Sequence, residues 1–178
     1  MLCTSKAGKA IEIAPQAHHW KVLPGADFGD SFRIRLKPAL ASQEIGELAA
    51  SMMKNKAPWI DALLNLRNLL VRPFGLKRAK LGIGSPAAAE AGKNEGGLPG
   101  FPVLAQDQHS LLMGLDDQHL DFRVCIEKSR DDAGPDHEQW LTVTTLVRTR
   151  RLFGKAYLAT IMPFHRRIVG NMLERMSR

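Results

Sequence analysis

Little in this chain can crosslink it. Its two cysteines, Cys3 and Cys125, lie far apart in 178 residues, which excludes a disulfide scaffold and supplies no cysteine-based metal motif. No local signature of a catalytic thiol surrounds either one, so both are expected as free thiols, most simply as small buried hydrophobes. Long apolar runs are missing too. Nothing approaches the roughly 18 consecutive apolar residues of a membrane-spanning helix, and the opening MLCTSKAGKA lacks the apolar stretch of a secretory signal. A cytoplasmic address without stable membrane insertion is the expectation. Aromatics are scarce at 6%, too few to interleave a nucleic-acid-binding surface. What remains, 44% hydrophobic and 24% charged, is an ordinary globular balance. A chain of this length buries roughly 70% of its unfolded surface, so one domain can fold without metal or disulfide.

The formal charge of +7 loses its meaning as a nucleic-acid signal once it is mapped. Met1 to Val147 carries 17 Lys plus Arg against 17 Asp plus Glu, so the excess sits in the last 31 residues. There Arg148, Arg150, Arg151, Lys155, Arg166, Arg167, Arg175 and Arg178 interleave with an apolar stripe. The solvated face of an amphipathic helix accounts for this pattern. Attraction to an acidic partner or an anionic surface is the alternative, and no nucleic-acid module accompanies it.

Along the chain, Met1 to Ala26 is broken by Pro15, Pro24 and Gly25 and reads as an irregular entry segment containing His18, His19 and Trp20. Phe32, Ile34 and Leu36 alternate with Arg33, Arg35 and Lys37, which predicts a strand over residues 31–37 ended by Pro38. Ser42 opens a helix expected to reach Lys56, and Pro58 restarts a second with an apolar period from Trp59 to Val71. Residues 82–100 hold six Gly, two Pro and four Ala and read as a mobile loop. Gly82-Ile83-Gly84-Ser85 is a poor phosphate cradle, because no hydrophobic strand precedes it and Pro86 removes a donor.

The second half changes period. Residues 101–108, 110–115, 119–128 and 139–149 are β-rich runs separated by turn chemistry, an antiparallel meander. Asp116-Asp117-Gln118 is explained as a turn without a metal. Tyr157, Ile161, Phe164, Ile168, Met172 and Met176 keep helical spacing over residues 155–177, which predicts one long helix with Pro163 inside it; a strand at 156–162 followed by a shorter helix is the alternative.

Strand, two short helices, antiparallel strands and a long last helix are the element order of an α+β helix-grip fold, a curved sheet wrapping its C-terminal helix. Residues 27–178 form this domain. Leu152-Phe153-Gly154-Lys155-Ala156-Tyr157, followed by Pro163-Phe164-His165 and Ile168 to Leu173, resembles the ending of START-like proteins, the SRPBCC superfamily of polyketide cyclases and birch-pollen allergens. Ala26-Asp27-Phe28, Gly114-Leu115-Asp116-Asp117, His119 to Val124 and Pro163 to Arg166 more closely resemble a bacterial family of unknown function. That family also occurs fused behind NAD(P)-binding short-chain-dehydrogenase-like domains, a segment this chain does not carry, so no cofactor transfers.

The resemblance implies a pocket for a small hydrophobic molecule between sheet and C-terminal helix, lined by Trp59, Asp121, Phe122, Arg123, Tyr157, Ile161 and His165. His165 is the candidate catalytic residue, a group able to act as acid or base near neutrality. Packing or capping is its bland alternative. Asp121 and Arg123 share a strand face, where they either pair with each other or anchor an anionic group. A binding module is the favoured function. A cyclase, dehydratase or isomerase-like enzyme using His165 with Asp121 or Tyr157 competes with it, as does an interaction protein using the basic helix. A homo-oligomer is compatible with either.

Overall fold

The computed structural model describes residues 8–55, 57–60, 102–116, 120–130, 138–150 and 152–177. Ten elements follow in order: β1 (Ile11–Ile13), α1 (Ala17–Trp20), β2 (Phe28–Arg35), α2 (Pro38–Ala41), α3 (Ile45–Lys54), β3 (Val103–Gln106), β4 (Ser110–Asp116), β5 (Leu120–Arg130), β6 (Gln139–Thr149) and α4 (Leu152–Met176). The strands make one open sheet in the order β1-β2-β6-β5-β4-β3, antiparallel at every pairing. Helix α4 packs across β2 and β6 and against α3. The chain is therefore an α+β fold, with a helix gripped by one face of an antiparallel sheet.

Register sorts the side chains. Phe32 lies opposite Val143 and Ile34 opposite Leu141; Val143 lies opposite Ile126, which lies opposite Leu111. Cross-strand partners share a face, so these residues form one apolar row beneath the helices. Leu48, Ala49 and Met52 of α3 and Val169, Met172, Leu173 and Met176 of α4 close over it. The other face also goes inside. There Ser31, Cys125, Thr144 and Leu146 are buried, covered in part by the N-terminal segment. An added Cβ at Gly29 would lie 2.8 Å from the Trp20 ring and 2.9 Å from Leu146, so glycine is what lets that indole close on β2.

Several expectations are corrected. Residues 8–26 are not wholly irregular: they supply an edge strand and the helical turn α1. The first long strand begins at Phe28 and stops at Arg35, and Pro38 opens α2 as its first residue, where its missing N–H costs nothing. Glu44, not Ser42, caps α3, and its backbone N–H donates to the Glu47 carboxylate at 3.4 Å. The meander and the long last helix stand as expected. Helix α4 is one continuous span across Pro163, which lacks the N–H that would bond the Ala159 carbonyl, and this excludes the alternative strand at 156–162. Residues 58–60 are helical, but the body of the helix expected from Trp59 to Val71, the 82–100 loop and Cys3 lie outside the described residues.

Candidate functional site

The face of the sheet beneath α4 is uneven. Toward α3 it is sealed: Ile34, Leu141, Ile126, Leu111, Leu48 and Leu173 are all buried. Toward the far end, where Phe28 and Phe122 flank Val147 by register, Phe28, Phe122, Tyr157 and Ile161 stay only half-buried. Tyr157 and Ile161 lie two turns and one turn before His165 on the same stripe of α4.

Where the two halves meet, the apolar face carries a carboxylate. Asp30 pairs with Thr145 across β2 and β6 and is 3% exposed. Among the described residues, neither of its oxygens has a hydrogen-bond partner. His165 approaches from α4, with Nε2 3.4 Å from Asp30 Oδ1 and 3.2 Å from Thr145 Oγ1. Nε2 is within hydrogen-bonding distance of the Thr145 hydroxyl, and the Asp30 carboxyl stands beside that contact without sharing it. His165 itself is 27% exposed, and its other nitrogen, Nδ1, has no partner among the described residues. The arrangement places a group able to exchange protons at the boundary of an incompletely covered apolar surface.

Of the residues expected to line a pocket, Phe122, Tyr157, Ile161 and His165 lie on the helix-facing side. Trp59 is elsewhere. It lies 39% exposed in an open groove of about 490 Å³ with Arg166, Arg167, Gly170, Asn171 and Glu174, on another flank of α4. Asp121 and Arg123 point to the opposite face of the sheet. Strand alternation requires this, because Phe122 between them points to the helix. They do not pair with each other either. Asp121 is fully buried and accepts from Arg148 Nη2 at 2.6 Å, Arg148 Nε at 3.0 Å and Arg150 Nε at 2.9 Å. Arg123 donates instead to Asp116 at 2.6 Å, which holds that carboxyl below its ordinary range. Asp121 raises Arg150 in turn by hydrogen bonding and charge. An enzyme using His165 with Asp121 is thereby excluded on geometry, since the sheet separates them.

The outer face has a second polar cluster. His18 and His19 sit on the single turn α1 and converge on Glu127, the three candidate ligand atoms lying within 4.8 Å of one another. That spacing invites a metal, but the protonation does not fit one. His19 Nδ1 accepts the Gln16 backbone N–H at 2.9 Å, so Nε2 carries the ring proton and donates it to Glu127 Oε2 at 2.7 Å. A cation on Nε2 would displace that proton and leave an anionic ring, because a metal-bound imidazole needs an acceptor at its other nitrogen, and here a donor stands. Ser31 and Thr144 complete the buried floor, their hydroxyls 2.6 Å apart. The cluster fastens the N-terminal segment to the sheet. Cys125, buried two residues from Glu127, has its thiol pushed up to about 12 by desolvation and that carboxylate, which removes it as a nucleophile.

Sequence reasoning missed Asp30. Its signal is present once the strand is started at Phe28, because Phe28, Asp30, Phe32 and Ile34 then share one face and Asp30 alone is polar there. Starting the strand at Ser31 hid it.

The fold and the site thus define an α+β protein in which an open antiparallel sheet and its last helix enclose a buried acid and a histidine. Residues 22–172 match the model of a family described as protein of unknown function (DUF2867), and the chain belongs to that family. No curated protein and no solved structure matches it. Among the described residues, no helix is long and apolar enough to cross a membrane.

Proposed function

We propose that the chain binds a small, largely apolar molecule between the Phe28–Val147 end of the sheet and the first half of α4, in the manner of START-like helix-grip proteins. The observation that carries this reading is the incomplete cover over Phe28, Phe122, Tyr157 and Ile161, beside a sealed core made by the same sheet and helix. Apolar surface left half-covered in an otherwise packed fold marks a place for an apolar occupant. The basic last helix supports a docking role less well. Arg148 and Arg150 are engaged by Asp121, Arg166 lies 3.5 Å from Glu12, and Arg175 donates to the Asn55 carbonyl.

The test compares the native and denatured masses of the purified protein and follows with titration by methoxynaphthalene, an apolar probe without an ionisable group. A retained molecule that extracts into organic solvent, or saturable probe binding abolished by Ile161→Arg, supports the reading. A clean mass together with no saturable binding overturns it.

A further inference from the structure

We infer that Asp30 and His165 act together as a proton-accepting pair, which gives the apolar pocket a preference for ligands bearing a weakly acidic hydroxyl, such as phenols or enols. The inference rests on the binding reading above and adds the chemical class of the ligand.

A buried carboxylate without donors is costly, and folds retain one where another group compensates it or where function requires it. Around Asp30 the possible compensators are few. Arg33, the nearest cation along β2, projects from the other face, where its guanidinium lies 4.4 Å from the Trp140 ring centroid. On β1, Glu12 adds negative charge and is matched by Arg166. Helix α4 brings Lys155, Tyr157 and His165, and β6 brings Thr145. His165 Nε2 approaches the carboxylate, and Thr145 Oγ1 approaches the imidazole.

With the ring proton on His165 Nε2, the Thr145 hydroxyl accepts it and the Asp30 carboxyl stands beside it. The lone pair then resides on Nδ1, the nitrogen without a partner among the described residues. A hydroxyl donating to Nδ1 shifts positive charge onto the ring, and the carboxylate 3.4 Å behind it stabilises that charge. An ether of the same shape gains nothing from the arrangement. Asp30 is in these terms a positioning residue, and His165 is the one that touches ligand.

The experiment compares naphthol with methoxynaphthalene, probes that differ in one donated proton, on the wild-type protein and on Asp30→Asn and His165→Phe variants. Naphthol is expected to bind about tenfold more tightly than its methyl ether, the value of a hydrogen bond with ionic character, and both substitutions should bring the two probes to within about threefold of each other. Saturable methoxynaphthalene binding by each variant checks that its pocket survives. The ring tautomer gives a second readout: imidazole nitrogen spectra of the neutral ring should show the Nε2–H form in the wild type and lose that preference in Asp30→Asn. Equal affinities in the wild type overturn the pair while leaving the pocket intact. A naphthol preference that persists in Asp30→Asn overturns the role of Asp30, and failure of both probes to bind overturns the binding reading itself.

Discussion

Two aspartates are buried in this sheet, one on each face, and they are treated in opposite ways. Asp121 on β5 is wholly enclosed and accepts N–H groups from two arginines. Asp30 on β2 is almost as deep and accepts none among the described residues. Burial alone therefore says nothing about role. Asp121 is met by donors from β6 and from the residue after it, which ties strand ends together and settles its charge within the fold. Asp30 depends on a single imidazole that is itself reachable from outside. A satisfied charge is architecture, whereas an unsatisfied one beside a half-open apolar surface is poised to meet something else.

The largest effect should come from breaking the satisfied member. Asp121→Ala removes the acceptor of three N–H donors and takes this counter-charge from Arg148 and Arg150. Both arginines are more than a third exposed, so they recover hydration, and the loss is expected to be about 2 kcal/mol rather than that of a fully buried pair. Urea denaturation measures it. A loss below about 0.5 kcal/mol would mean that the two aspartates are energetically alike and would dissolve the comparison.

The opposite sign is expected on the other face. Asp30→Asn keeps the shape of the side chain and removes a charge that has no donor, so stability should rise by about 1 kcal/mol. For a chain of this length that is a shift of roughly 2–4 °C in Tm. A gain in stability together with the loss of hydroxyl preference is the behaviour of a residue kept for function. A drop in stability would show that Asp30 is structural and that its pairing with His165 is stronger than the 3.4 Å separation implies.

How much of this contrast was legible in the sequence follows from the physics of each element. Period-two alternation in Leu120 to Ile126 and Leu141 to Val147 is local, so strands and faces could be read directly. The long last helix was legible for the same reason, since its apolar spacing persists across Pro163. Partners were not legible. Asp121 and Arg123 share a face but stand two residues apart on one strand, where side chains lie nearly 7 Å apart along the chain. Neighbouring strands bring Arg148 and Asp116 closer, and register decides that pairing. The convergence of His18 and His19 on Glu127 depends in the same way on an N-terminal turn docking over a hundred residues away in the chain. The helix-facing position of His165 was within reach of sequence reasoning, because it keeps step with Ile161 and Tyr157. Asp30 was one residue beyond the strand boundary first drawn.

A third aspartate tests the rule at its exposed limit. Asp27 stands at the entry to β2, solvent-exposed, and accepts from both the Thr149 hydroxyl at 2.7 Å and the Thr149 backbone N–H at 2.6 Å. The hydroxyl first and the backbone second hold its carboxyl below the ordinary value of 3.8. A depressed folded value means that the ionised form is favoured by folding, so the contribution is present above the unfolded value and is lost as pH falls through the folded one. Water screens most of it at this site, and Thr149→Val should cost under about 0.5 kcal/mol near neutrality. The cost should shrink as the carboxyl is protonated in both states, approaching zero once the pH lies below the folded value. Stability of the two proteins measured across that range checks the sign. A penalty that stays constant with pH would assign the effect of Thr149 to strand packing rather than to Asp27, and would confine the influence of charge in this sheet to the two aspartates inside it.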